Sequence, residues 1–170
     1  LVGSEMCIRD RYVCNVGGIK MKRKFLLTLP LACFALIGMA ACGSDDIEEN
    51  VIYAAPTGKE TAKGSKKSPL DVRTAFKKLT AGDTLILLDG NYKLNDRILV
   101  SAGQDGKEGK PITVKADDGA SVTFDFTEQT IASVSRGIQI NANYWYLYGF
   151  DVMGAGDNGV YIAGSYNICL

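Results

Sequence analysis

The sequence predicts an all-β chain wound as a β-solenoid, with one short amphipathic helix among its first elements. Three observations carry that expectation. Short apolar or alternating runs, separated by turns of Asp, Asn and Gly, fill residues 84–168, and no second helical pattern interrupts them. One stretch, residues 69–79, has an apolar period of a helix. A repeat with an offset of 22 residues links Gly137-Ile138-Gln139-Ile140 to Gly159-Val160-Tyr161-Ile162, and Tyr144 to Tyr166. A fixed offset of that length suits one coil of a solenoid, where each coil stacks its apolar positions on those of the coil before. An antiparallel sandwich has no reason to keep it.

The elements follow in order. Val51-Ile52-Tyr53-Ala54 reads as a short strand, and residues 56–67 as a polar loop. Ser68 is placed to cap the helix, Pro69 suits its first position and Asp71 its first turn. Leu70, Phe76 and Leu79 line its apolar side, with Val72 and Ala75 beside them. Ala81-Gly82-Asp83 is a turn, Thr84–Leu88 a strand, and Asp89-Gly90-Asn91 the turn that closes it. Ile98-Leu99-Val100 is a strand, followed by a Gly/Lys loop from Ala102 to Lys110. Ile112–Ala116 and Val122–Phe126 alternate, with Asp117-Asp118-Gly119 between them. Tyr144–Val152 reads as a strand with Trp145 and Leu147 on one face and Tyr144, Tyr146 and Tyr148 on the other. Gly149 bends it, after which Phe150 and Val152 turn inward.

The N-terminal fifty residues divide differently. Leu1–Asp10 can be encoded by CTC GTG GGC TCG GAG ATG TGT ATA AGA GAC, which resembles a transposon-type sequencing adapter. Gly17-Gly18-Ile19-Lys20 can be written GGA GGA ATA AAA, a purine-rich ribosome-binding site before Met21. Residues 1–20 are therefore read as non-native leader and left out of the fold. Cys169-Leu170 can be written TGT CTC, the first codons of the reverse adapter. Residues 21–41 read as a signal peptide: Lys22-Arg23-Lys24, then the apolar FLLTLPLACFALIGM, too short to span a bilayer comfortably. Small residues before Cys42 resemble the bacterial lipobox, which makes Cys42 the expected lipid attachment site and the chain an exported, membrane-anchored lipoprotein of the cell envelope. Residues 42–50 form a polar tether, and residues 51–170 the folded region.

Composition excludes several classes of chemistry. After residue 41 there are 13 basic and 17 acidic side chains, a net charge of −4, which argues against nucleic acid as a partner. The sequence has no histidine, so no His-based triad or His–metal site lies in it. Cys42 and Cys169 are the only cysteines after residue 41, too few for a disulfide framework or a zinc cluster. Tyr144, Tyr146 and Tyr148 offer aromatic faces to which sugar rings can stack. Packing explains three strand tyrosines equally simply, and is the preferred account. Asp117-Asp118 and Asp151 with Asp157 are the acidic groups to consider for a metal. Both motifs read better as turns or strand residues, since calcium takes six or more oxygens. Lys93, Lys110 and Lys115 carry no mark of a catalytic base and read as solvated.

Three stretches carry a resemblance. "AGDTLILLDGNYKLNDRILV" and "GKEGKPITVKADDGASVTFDF" resemble the first coils of the parallel β-helix enzymes that cleave acidic polysaccharides. "RGIQINANYWYLYGFDVMGAGDNGVYIAGSYNI" resembles the ninth family of polysaccharide lyases, the pectate lyases. The resemblance covers residues 51–168. It implies a right-handed parallel β-helix, here incomplete, whose N-terminal end is capped by the short amphipathic helix. It also implies β-elimination on an acidic polysaccharide. A neutral lysine removes the proton on C5, the C4–O bond breaks, and calcium held by a cluster of aspartates stabilises the charge that develops. None of the aspartates or lysines of this sequence matches that set, so the catalytic and calcium residues are expected beyond Leu170. The whole protein is expected to be a monomer and this chain by itself inactive. A lyase acting on alginate or a glycosaminoglycan, and a non-catalytic glycan-binding lipoprotein, are the alternatives on the same scaffold.

Overall fold

The structure, a computed structural model, describes residues 50–170. The expected leader and signal peptide, Cys42 and the tether up to residue 49 lie outside the described residues. The described residues form eleven strands and one helix: β1 Val51–Ala54, α1 Val72–Lys78, β2 Thr84–Leu87, β3 Gly90–Lys93, β4 Ile98–Val100, β5 Ile112–Ala116, β6 Val122–Asp125, β7 Ile138–Ile140, β8 Trp145–Tyr148, β9 Asp151–Met153, β10 Val160–Ile162 and β11 Ile168–Cys169. Every strand pair is parallel. Three sheets result, in the orders β1-β2-β5-β8-β11, β3-β6-β9 and β4-β7-β10. From β2 to β10 each coil gives one strand to each sheet, which is the expected solenoid, and β1 and β11 extend the longest sheet at its two ends.

The register explains the core. Leu85 pairs with Val114 and Val114 with Leu147, and all three are fully buried. Ile138 lies between Ile98 and Val160, and Tyr92 pairs with Phe124. Burying one such aliphatic side chain contributes about 1.5–3 kcal/mol, so each inward row holds its coils together. The matched side chains of the 22-residue repeat are also partners in space: Ile138 pairs with Val160, Ile140 with Ile162, and the rings of Tyr144 and Tyr166 stack at 4.8 Å. Earlier coils are longer. Thr113 pairs with Thr84 on one side and Tyr146 on the other, and Ile138 with Ile98. Loops at residues 101–111 and 126–137 add length without changing register, so the period shows in the sequence only where loops are short.

The helix begins later than its sequence suggests. Its N-cap is Asp71, whose carboxylate accepts from the backbone N–H of Arg73 at 2.9 Å and Thr74 at 3.1 Å. Ser68 instead stands in a short bridge with Ser65, and Leu70 continues the sheet beside β1. The Leu70 N–H donates to the Tyr53 carbonyl and the Leu70 carbonyl accepts from the Ala55 N–H. A residue with both backbone groups in a sheet cannot also lie in the first helical turn. The apolar side is as expected, with Leu70, Val72, Ala75, Phe76 and Leu79 all buried.

Two further differences concern corners. Gly90 and Asn91 open a strand rather than close one. The bend lies at Leu88-Asp89, with Gly90 at φ 128°, a conformation that a side chain would strain. Tyr92 in the same strand is buried. Its hydroxyl lies 2.9 Å from the Ala54 carbonyl and 2.8 Å from the Leu88 carbonyl, and burial pushes its pKa well above the ordinary phenol range. The stretch expected as Tyr144–Val152 is two strands, β8 and β9, separated by Gly149 at φ 79° as the alternation implied. Trp145 and Leu147 are inward and fully buried.

α1 covers the upper end of the solenoid, packing on β1 and β4. Phe76 enters the interior, stacked on Trp145 at 6.0 Å and edge-on to Phe124 at 6.4 Å. The helix C-terminus is tied from the loop after β4. The Gln104 side-chain amide donates to the carbonyls of Phe76 at 2.6 Å and Leu79 at 3.3 Å, and the Gln104 backbone carbonyl accepts from the Trp145 indole at 2.8 Å.

Two substitutions test this packing. Phe76→Ala removes the buried ring that joins the cap to the coils, and should cost about 3–5 kcal/mol, read as a lower midpoint of chemical denaturation. Gly137 and Gly159 occupy matched positions but differ in surroundings. A Cβ at Gly137 would lie 2.5 Å from the Gly159 carbonyl and 2.9 Å from the Phe126 ring, whereas one at Gly159 meets only Val152 at 3.5 Å. Gly137→Ala should lower the thermal midpoint markedly and Gly159→Ala little. Equal effects would contradict the stacking described here.

Candidate functional site

Inward positions of a parallel solenoid are occupied by packing, so ligand chemistry must come from outward side chains and loops. The longest sheet presents two outward rows. One runs Val51, Thr84, Thr113, Tyr146, Ile168, and the other Tyr53, Ile86, Lys115, Tyr148. Tyr146 is half-buried there and Tyr148 exposed. Tyr144 does not share this face. It precedes β8 at φ 58°, in the left-handed region, and its ring lies against Tyr166, itself at φ 57°. The alternation assumed from sequence fails at Tyr144 because a left-handed residue turns its side chain out of the strand's pleat. Two of the three sequence-derived tyrosines therefore stand together.

At one edge of this sheet Lys66 donates to the Asp117 carboxylate at 2.7 Å and lies 6.0 Å from the Tyr53 ring centroid. That hydrogen bond holds the Asp117 carboxyl below its ordinary range and raises the lysine. Asp117, Asp118 and Gly119 form the expected turn, with the Ala120 N–H donating to the Asp117 carbonyl at 3.0 Å.

The β4-β7-β10 sheet carries a different set. Its outward row is Leu99, Gln139, Tyr161. The Arg97 guanidinium donates to the Gln139 side-chain oxygen at 3.2 Å, and the Gln139 amide donates to Asn141 at 3.0 Å. The Arg136 guanidinium sits over the Tyr161 ring, 3.6 Å from its centroid, with its Nε 3.7 Å from the Asp157 carboxylate. Sequence reasoning did not single out Arg97 or Arg136. The repeat held part of the signal, since it pairs Gln139 with Tyr161 and leaves Arg136 one residue before the first repeated glycine.

The carboxylates expected to matter for a metal are occupied or apart. Asp117 bonds Lys66 and Asp157 faces Arg136, while Asp151 is exposed on β9. Asp125 accepts from the hydroxyl and N–H of Thr127 and from the Asn91 amide, which hold its carboxyl below the ordinary 3.8. Among the described residues no three Asp, Glu, Cys or His side chains converge. Calcium takes six or more oxygens, so residues 50–170 do not fit a calcium ion. Cys169 is an exposed free thiol, in register beneath Leu147.

The Pel9A-like, right-handed β-helix region matches residues 52–170. Pectate lyase L of Paenibacillus polymyxa (strain SC2) is 34% identical over 128 residues, covering 75% of this chain and 28% of that protein. Pectate lyase L of Dickeya chrysanthemi is 29% identical over 161 residues, covering 81% of this chain and 38% of that protein. The crystal structure of pectate lyase Pel9A superimposes with a TM-score of 0.61 at 28% identity, over 69% of this chain and 31% of that one. A rhamnogalacturonan lyase shares the fold, with a TM-score of 0.52 at 18% identity, over 64% of this chain and 34% of that one. The chain thus spans about a third of the length of these relatives. Over its described coils, the chain belongs to the Pel9A-like right-handed β-helix family.

Proposed function

We propose that these coils are the N-terminal part of a pectate lyase-like enzyme that cleaves polygalacturonate by β-elimination. The observation that carries this reading is the family match over residues 52–170. In the reaction a base takes the C5 proton, which is acidified by the neighbouring carboxyl group. The electron pair forms the C4–C5 double bond as the C4–O bond breaks, and the leaving sugar oxygen takes up a proton. Calcium would stabilise the negative charge that develops beside the carboxylate. Neither the base nor the calcium ligands are assigned to residues 50–170, so this chain alone is inactive. Its part is to close one end of the solenoid and to present outward side chains to the polysaccharide. The protein is exported, anchored through a lipid on Cys42, and acts as a monomer.

The reading is tested with the longest reading frame that contains the chain. It should release unsaturated products from polygalacturonate, followed by ultraviolet absorbance, with activity lost on chelation and restored by calcium. Residues 43–170 alone should release none. Product from alginate or chondroitin but not polygalacturonate would overturn the substrate, and no product from any uronate chain would leave a binding protein. For the anchor, cells fed labelled palmitate should label the protein, and Cys42→Ala should abolish the label.

A further inference from the structure

We propose that Asn158-Gly159 is a site of spontaneous covalent modification, where the asparagine side chain loses ammonia through a cyclic imide and leaves an aspartate or an isoaspartate in the third coil. The proposal goes beyond the lyase reading and does not depend on it.

The chemistry needs an unshielded backbone nitrogen after an asparagine and a side-chain amide free to reach it. The corner that leads into β10 supplies both. Of all the asparagines in the sequence, only Asn158 precedes a glycine. Gly159 has no side chain to shield its nitrogen, and its backbone is free to turn toward the ring geometry. Its N–H finds no acceptor among the described residues, although its carbonyl accepts from Ile138 at 2.9 Å. Asn158 is exposed, and its side-chain amide has no hydrogen-bond partner among the described residues.

Four other asparagines of the coils show the contrast. Asn91 and Asn143 precede tyrosines, Asn141 an alanine and Asn167 an isoleucine. Their side chains are also held. Asn91 donates to Asp125 at 3.1 Å and Asn141 accepts from Gln139 at 3.0 Å. Asn143 accepts from the Ser165 N–H at 2.7 Å, and Asn167 from the Trp145 N–H at 2.7 Å. A side chain fixed in this way cannot swing its carbonyl carbon onto the next nitrogen.

The steps balance without an oxidant or a reductant. The Gly159 nitrogen gives up its proton and bonds to the Asn158 side-chain carbonyl carbon. The bond from that carbon to the side-chain nitrogen breaks, and the nitrogen leaves as ammonia with the proton. Water then opens the imide. Addition at the side-chain carbonyl restores the normal main chain with an aspartate. Addition at the backbone carbonyl reroutes the main chain through the side chain, as isoaspartate.

The two products differ in what they do to the coil. The Asn158 carbonyl accepts from the Gly137 N–H and the Gly159 carbonyl from the Ile138 N–H, both at 2.9 Å. These consecutive bonds lead into the β7–β10 ladder. Isoaspartate adds a carbon to the main chain between them, so both cannot keep register. Either product also places a new carboxylate next to Asp157, which faces Arg136.

The test holds the full-length protein in mildly alkaline buffer, then digests it for mass spectrometry. Fragment ions should place at Asn158 a gain equal to the mass difference between an amide and an acid. Isoaspartyl methyltransferase should add a methyl group at the same position. Gly159→Ala, whose Cβ meets only Val152 at 3.5 Å, should slow the gain roughly tenfold or more with the thermal midpoint little changed. If that variant does not fold, Asn158→Gln replaces it, because the longer side chain must close a less favourable ring. The isoaspartyl form, separated by charge, should exchange the amides of residues 137–140 roughly tenfold faster than wild type, whereas Asn158→Asp should not. No gain at Asn158, an equal gain at Asn141, Asn143 or Asn167, or an unchanged rate in the folded variant overturns the proposal. Wild-type exchange in the isoaspartyl form overturns its stated effect on the ladder.

Discussion

The structure depends on one constraint: each inward side chain must rest on its equivalent in the next coil. Parallel pairing in register makes this possible, because a strand that bonds its neighbour without slip also aligns its side chains. Leu85, Val114 and Leu147 form one such column. A slip of one residue would turn all three outward, so the hydrophobic rows and the hydrogen-bond ladders enforce the same register. Loops are released from it. Between β4 and β5 the chain makes a long excursion at residues 101–111, yet Thr84 still meets Thr113. The entropy of closing a loop rises only slowly with its length, which is why coils of unequal length share one core.

A stack of coils has an end, and the end must be closed. β1 has its partner β2 on one side, and Leu70 returns to bond its other backbone groups. α1 then covers the interior above β4, with Phe76 reaching down to Trp145 in β8. That contact joins the cap to a coil well below it. Gln104 completes the link, since its side chain satisfies helix carbonyls while its backbone satisfies the indole. The loop at residues 101–111 is therefore a brace between the cap and the third coil. Helix-end carbonyls are left unpaired by the helix itself, and a buried indole N–H without a partner would be costly.

Much of this was legible because apolar alternation and turn residues report directly on inward rows. Most of the strands, the helix and the pairing of Gly137–Ile140 with Gly159–Ile162 follow from those signals, while β3 and β11 were not read as strands. The failures are local and have local causes. Ser68 looks like a cap, but Leu70 is claimed by the sheet, so the cap falls to Asp71. Gly90-Asn91 looks like a turn because a solenoid corner and a hairpin turn use the same residue types, although the corner is complete by Asp89. Tyr144 has the parity of an outward strand residue but a left-handed backbone, which no alternation pattern reveals. The placement of Arg97 and Arg136 was not legible at all. Arg97 reaches Gln139 only because 40 residues of chain return to the same height, as Ile98 meeting Ile138 records.

This separation between what the core dictates and what it leaves open bears on function. Right-handed β-helices can share inward columns and still act on different chains, because fold alone does not set chemistry. Here the inward positions are aliphatic or aromatic and say nothing of the substrate. The outward cations are held in different ways: Lys66 by Asp117, Arg136 by the Tyr161 ring and Asp157, and Arg97 and Arg73 by neutral oxygens. None of these arrangements touches the inward columns, so the fold leaves the outward chemistry free to vary.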